Sequence, residues 1–416
     1  MSDATLTTAN AYLKEVYTAV NALEVMYHEN PFFAEVPKDE TFTGIDVKQP
    51  VIYANPAGQA ADFATAQSVA AGSSSVAFTL KRHPHYAYAT IQRELLLAAG
   101  DDKGAFLRAT KPEFMGAMNR AKRALSLYLY RTGTGSIGTV GSVSNVNSVA
   151  AIVLSNARDV KNFEVGDRLQ FSTTDGGGTV RSQVNAITHI DRIGGVLTLN
   201  VAFNAGWSNG SITAGDLIYY AAVSAGAGNI VLNGLQAWLP GNTVTSSPFL
   251  GVDRTQDTVR LAGVYEDNSA YPIEEGLLNL ATDIIDLGDG SPDRAYITPN
   301  AYNMLVKELG SKVRYTEVVT KSGGVEFGFK AIALTSQRGA DIAVIPDYNC
   351  PAGYGFVLTM SAWKLRSIKP VPHWITDDNL DMLRLATADS FEARFASYSE
   401  LCCEAPGYNG QCKLAA

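Results

Sequence analysis

Between Gln49 and Leu80 the chain carries a single charged residue, Asp62, and the centre of the stretch is crowded with Ala, Ser and Gly. No other feature restricts the folding options so tightly. Two alternating segments flank it, "IDVKQPVIY" before and "SVAFTLKRHPHYAYATIQ" after, and a period of two is the signature of half-buried strands. The pattern reads as a long two-stranded arm. A lone hairpin is marginal in water and presents unpaired strand edges, so the arm is expected to lie on another subunit.

Composition points the same way. The chain has 416 residues, 46% hydrophobic and only 18% charged, against a usual charged share of about a quarter. Such a surface is either neutral or covered. Length alone predicts two or three domains and a sizeable core. A net charge of −8 argues against a dedicated nucleic-acid binder, which carries clustered Lys and Arg. No apolar run approaches the ~18 residues of a membrane span, and "MSDATLTTANAYLKEVYTAV" lacks the layout of a secretory signal. Cys350, Cys402, Cys403 and Cys412 are too few and too skewed for a disulfide framework, and "LCCEAPGYNGQC" has the wrong spacing for zinc. They read as reduced thiols of a chain that folds in a reducing cytoplasm.

"RTGTGSIGTVG" contains a complete G-x-G-x-x-G at Gly133, Gly135 and Gly138. A dinucleotide loop needs a strand before these glycines and a helix after them, so that the helix N-terminus faces the phosphates. Here the order is wrong. The strongest helix, "KPEFMGAMNRAKRALSLYLYRTG", with Phe114, Met118, Ala121, Leu125 and Leu129 at helical spacing, ends at the motif, and Gly133 stands where a C-terminal glycine belongs. No helix opens afterwards, and no charge occurs from Thr132 to Ala157. The glycines form a linker.

A further helix is expected over residues 8 to 27, ended by "ENPFFAEVP". Residues 140 to 228 read as a β unit, a small barrel or sandwich. "FEVGDRLQFS" and "ITAGDLIYYA" repeat a Gly-Asp turn followed by alternation, with a hairpin around Gly194-Gly195 between them. After Pro240 the pattern is mixed α/β. "PIEEGLLNLATDIIDLG" is amphipathic through Ile273, Leu277, Leu280 and Ile284. "ITPNAYNMLVKELG" is a helix with Thr298 as N-cap, Pro299 at its first position and Gly310 past its end. Strands follow in "KAIALTS", "ADIAVIP", "GYGFVLTMSAWKLRSI" and "SFEARFASYSEL", the last with Phe391, Ala393 and Phe395 on one face.

Catalytic motifs fail one by one. "SAWK", Ser361 to Lys364, and "KSG" at Lys321 stand in the reverse order of a penicillin-recognising site and without its central motif. His83 and His85 of "HPH" find no third ligand and read as surface histidines, while "DLGDGSPD", with Asp286, Asp289 and Asp293, misses calcium-loop spacing. No carboxylate pairing for general acid and base work is visible. The reading is a non-enzyme with no cofactor and no metal site.

Taken in order, the parts resemble the major capsid proteins of tailed double-stranded-DNA bacteriophages, the Hong Kong 97-like fold. The matching parts are the arm, the uncharged loop, the spine-like helix at 111 to 132, "GLQAWLPG", the pair of helices after Pro272, and "ADSFEARFASYSELCCEAPG". The resemblance implies an α+β fold with an N-terminal arm at 1–40, an extended loop at 41–91 and a peripheral domain from 92–132 and 366–416. An inserted β-barrel or sandwich domain then fills 133–240 and an axial domain 241–365. It further implies a virion protein assembled in the host cytoplasm, copies forming hexamers and pentamers around the packaged double-stranded DNA, with non-specific contact to that DNA and none to a membrane. Portal, a separate scaffolding protein and room for decoration proteins complete the partner set. The competing reading is a β-rich surface or carbohydrate-binding protein using residues 140 to 228 as its module.

For the arm, Val51, Tyr53, Phe63 and Phe78 are expected to be buried against neighbouring subunits, with Lys81 and Arg82 at the base facing an acidic neighbour. Some members of the family join a loop lysine to a neighbour's asparagine. No lysine occurs here between Gln49 and Leu80, so the shell is expected to be non-covalent.

Overall fold

The computed structural model describes residues 30–94, 103–146, 149–176, 181, 184–200, 212–221, 231–241, 244–310, 332–335, 341–375, 383–385 and 387–415. The helix expected over 8–27 lies outside them. The described chain is mixed α and β, built around two open sheets, one closed barrel and one two-stranded ribbon.

The long strand Ser390–Cys403 runs through the middle of the first sheet. On one side His83–Gln92 pairs antiparallel with it, from Ser390 opposite Gln92 to Ser399 opposite His83. On the other side lie Trp363–Ser367, His373–Trp374 and Leu383–Arg384. Phe391, Ala393 and Phe395 were expected to share one face; Ala393 and Phe395 are buried and Phe391 partly so, but Ala396, Ser397 and Glu400 are buried as well. A central strand is covered on both sides, which alternation alone does not announce.

The spine helix, Lys103–Tyr128, buries Ala121 and Leu125. It begins ahead of the expected Lys111 and passes through Pro112. One missing backbone hydrogen bond is insufficient to end a helix whose preceding residues, "KGAFLRAT", favour it. After Tyr128 the chain turns through Gly133 and Gly135, both with positive φ. A side chain at Gly133 would sit 2.5 Å from the Asn233 Oδ1 atom. The glycines link the helix to the strand Gly138–Val146, as the linker reading expects, and no helix directly follows them.

The second sheet has the order Val264–Asp267, Gly410–Lys413, Tyr354–Leu358, Arg294–Ile297, Asp341–Pro346, Ile332–Thr335. Helices Ile273–Gly288 and Pro299–Gly310 pack on it, and Ile273, Leu277, Leu280 and Ile284 join its core as their spacing predicts. Thr298 caps the second helix, its Oγ1 accepting from the Ala301 N–H at 3.2 Å. Gly310 closes that helix rather than standing past it. The C-terminal strand Gly410–Lys413 belongs to this sheet, so the segment assigned to the peripheral domain, 366–416, crosses over before its end.

Six antiparallel strands between Gly138 and Tyr220 close into a barrel. The repeated Gly-Asp turns are built alike. Gly166 and Gly215 both have φ of 92°, and Asp167 and Asp216 each accept a backbone N–H three residues back at 2.9 Å, from Glu164 and Thr213. The interior is filled by Ile152, Phe163, Leu169, Phe171, Leu197 and Ile218. Closure leaves no free edge in the barrel wall.

Candidate assembly surface

The uncharged stretch folds as expected into a ribbon, Asp46–Ala54 antiparallel to Ser74–Lys81. Its turn region carries a short helix, Phe63–Ser68, capped by Asp62, whose Oδ2 accepts from the Thr65 N–H at 3.1 Å.

The ribbon has two unlike ends. At the root, Phe78 is fully buried, 5.0 Å from the Trp238 ring and 6.2 Å from Phe249, while Trp238 meets Trp363 edge-on. Three polar ties reinforce this socket. The Thr79 N–H donates to the Leu250 carbonyl at 2.8 Å, Arg260 to the Tyr53 carbonyl at 2.6 Å, and Arg366 to the Gln49 side chain at 2.9 Å. At the tip, residues 55 to 73 are almost wholly exposed, and Phe63 is 80% exposed.

The expected contact residues therefore divide. Phe63 stands bare and Tyr53 is partly covered. Val51 and Phe78, expected against neighbours, belong instead to the chain's own core, because the loop ahead of Arg254 and the Trp238 turn supply a pocket from far along the sequence. Lys81 is exposed. Arg82 lies 4.8 Å over the Phe42 ring and donates to the Phe42 carbonyl, so part of its charge is engaged within the chain.

Beside the root is a buried polar node that sequence reasoning missed. Glu400 is completely buried. Its Oε1 accepts from the Asn233 side chain at 2.7 Å, and its Oε2 lies 2.8 Å from the His83 Nδ1. Burial pushes its carboxyl above the usual range, against the opposing pull of His83 and Asn233. The node joins the start of the strand after the ribbon, the chain returning from the barrel, and the central strand. His83 and His85 were read as surface histidines; His83 is engaged by Glu400, and His85 sits against Tyr128 with burial lowering it to about 4. Only a sequence separation of 317 residues between His83 and Glu400 hid this pair.

The other candidate motifs do not assemble chemistry. Lys364 of "SAWK" is paired with Glu404 at 2.6 Å, and Lys321 lies outside the described residues. Asp289 takes the left-handed conformation that ends its helix, and Asp293 accepts from the Met360 N–H at 2.9 Å. They form the polar loop expected there. All four cysteines are free and buried, which pushes Cys402 and Cys412 up to about 12. Among the described residues no group of His, Cys, Asp or Glu is arranged to hold a metal, and no helix is long and apolar enough to cross a membrane.

No protein-family profile matches the chain, and no curated protein matches it in sequence. Solved structures do. A chain of the Cyanophage A-1(L) capsid asymmetric unit superposes with a TM-score of 0.57 at 10% identity, covering 95% of this chain and 95% of its own. The capsid of an empty GTA particle gives 0.45 at 9% identity over 100% of both chains. The holo-SrpI encapsulin complex from Synechococcus elongatus PCC 7942 gives 0.43 at 8%, over 95% and 90%. The first of these carries the conclusion. The chain has the fold of a phage capsid subunit, the Hong Kong 97-like fold.

Proposed function

We propose that this chain is the major capsid protein of a tailed double-stranded-DNA phage, a structural rather than catalytic protein. In this reading its copies form the hexamers and pentamers of an icosahedral head. The observation that carries the proposal is the likeness to the cyanophage capsid chain over 95% of both chains. The uncharged ribbon supports it independently, since its bare apolar tip needs a cover that the described residues of its own chain do not supply.

The domain reading follows the same frame: arm at 1–40, extended loop at 41–91, peripheral domain from 92–132 and most of 366–416, axial domain at 241–365. The barrel within 133–240 is an insertion. The chain leaves at Gly133 and returns at Val231, whose N–H donates to the Gly133 carbonyl at 3.3 Å, so the barrel can be absent without breaking the path of the rest. The acidic balance, −8, keeps packaged DNA in loose, non-specific contact with the wall. Portal and a separate scaffold are the partners of such a head, with room for decoration proteins, and assembly takes place in the host cytoplasm. A carbohydrate-binding role for the barrel is not favoured.

The test is direct. Full-length protein expressed with its scaffold should sediment as closed shells visible in negative stain; monomers alone would overturn the proposal. Boiled, reduced shells should run as one monomer band, because Lys48 and Lys81 both lie at the ribbon's root, away from the tip.

A further inference from the structure

The turn at 347–350, between the strands Asp341–Pro346 and Tyr354–Leu358 of the second sheet, is gripped from separate parts of the chain. Asp347 is buried. Its Oδ2 accepts from the Tyr130 hydroxyl at 2.9 Å, just past the spine helix, and from the Phe32 N–H at 3.2 Å. Its Oδ1 accepts from the Asn349 N–H at 2.8 Å. One residue on, the Arg123 guanidinium of the spine helix lies 5.2 Å from the centre of the Tyr348 ring and donates to the Tyr348 hydroxyl at 3.2 Å.

The last grip comes from the barrel. Lys161 stands in a short 3-10 helix, Ala157–Asn162, that joins two barrel strands. Its ammonium donates to the Tyr348 carbonyl and, at 2.9 Å, to the Cys350 carbonyl, and it lies 5.2 Å from the centre of the Tyr348 ring. That helix is tied to the barrel on its other side. The Tyr220 hydroxyl donates to the Asn162 carbonyl at 2.6 Å, the Asn162 side chain donates to the Ile137 carbonyl at 2.8 Å, and Phe163, next in the chain, is fully buried. Arg123 also donates to the Lys161 carbonyl. Spine helix, barrel and axial turn therefore form a closed triangle of directional contacts.

We propose that the barrel is an internal brace, which through Lys161 locks the second sheet at one angle to the spine helix and so sets the curvature each copy brings to a shell. The curvature rests on the shell-subunit reading above; the brace does not. Apolar faces slide past one another at little cost. A partly buried ammonium that slid away from its two carbonyls would be left without partners where water reaches it poorly. The contact therefore fixes an orientation more than it adds stability. The path of the chain does not need the barrel, but the angle between its two sheets does.

Amide hydrogen exchange of the unassembled full-length chain, Lys161→Met against wild type, reads the brace directly, because local opening shows as lost protection. Exchange over residues 344–354 should quicken several-fold while the barrel strands Val149–Leu154 and Arg168–Ser172 keep their protection. Shells grown from the same variant with its scaffold should spread over a wider range of diameters in negative stain than wild-type shells. Lys364→Met, which removes a lysine paired with Glu404 in the first sheet, should do neither. Unchanged exchange over 344–354 would overturn the brace. So would an equal loss in the barrel strands, which would make Lys161 a prop of the barrel alone. If Lys161→Met is insoluble, Lys161→Gln, a polar side chain of shorter reach, carries the same two readings. Faster exchange with shells of normal diameter would overturn the link to curvature. If wild type forms no particles, the shell reading fails, and the exchange comparison still decides the brace.

Discussion

The ribbon and the barrel are both antiparallel β-structure, and each includes a long run almost free of charge, yet they solve the same problem in opposite ways. The barrel pairs every strand on both sides and buries Phe163, Phe171 and Leu197 completely. The ribbon has two strands, borrows one socket at its root, and leaves nearly everything from 55 to 73 in solvent. A closed sheet supplies its own cover; an open one must find it elsewhere. Low charge in a strand therefore does not by itself mean core.

The sharpest test exchanges the same side chain in the two regions. Phe171→Ala, in the barrel interior, should cost about 3–5 kcal/mol by urea denaturation of the unassembled chain, the range for deleting a buried ring. Phe63→Ala should stay within about 0.5 kcal/mol in that assay and instead depress shell formation in sedimentation. Equal costs in the unassembled chain would break the comparison.

Glycine offers a second contrast. Gly195, at the barrel hairpin, has φ of 66°, and a Cβ there would lie 2.5 Å from the Ala157 Cα. Gly195→Ala should destabilise by about 1–3 kcal/mol. In the ribbon, a Cβ on Gly72 would meet nothing within 4 Å, so Gly72→Ala should be neutral or stabilise by up to about 1 kcal/mol. Thermal unfolding of the two variants side by side decides it.

Where the two regions join, pH becomes informative. Burial holds the Glu400 carboxyl above its usual 4.5, so the folded state takes up its proton more readily than the unfolded one. Its stabilising contribution is fully present below pH 4.5 and is lost as pH rises through the raised folded value. Glu400→Gln, which keeps an acceptor for Asn233, should flatten that part of the stability profile, read as the difference in Tm between wild type and variant from pH 4 to 8. An unchanged profile would mean the carboxylate is not desolvated as described.

The smallest effects belong to the ribbon's base. Arg82→Ala should cost about 0.5–1 kcal/mol through the lost stacking on Phe42, and Lys81→Ala less than about 0.5 kcal/mol in the unassembled chain. If assembled shells of the double variant melt earlier and more steeply with salt, these charges face a neighbour, as expected from the sequence. If they do not, Arg82 serves its own chain alone.

Much of the frame was legible because it is local. Helical spacing placed Ile273, Leu277, Leu280 and Ile284 inside, Thr298 announced its cap, and the two Gly-Asp turns marked barrel strands. The glycine-rich motif could be rejected from its neighbours alone. The division of the arm was not legible. Val51, Phe63 and Phe78 are the same kind of residue in the same kind of pattern, and nothing near them says which will be covered.

Sequence by itself determined most of the elements among the described residues, though not where the spine helix begins, together with the absence of a phosphate loop's context and the existence of an arm poor in charge. Those features depend on residues within one or two turns of each other, where backbone geometry and side-chain period suffice. Tertiary structure decided that Phe78 meets Trp238, that His83 meets Glu400 and that Phe63 stays 80% exposed among the described residues. Burial is a property of surfaces brought together from hundreds of residues apart, and no local pattern encodes which surface will arrive.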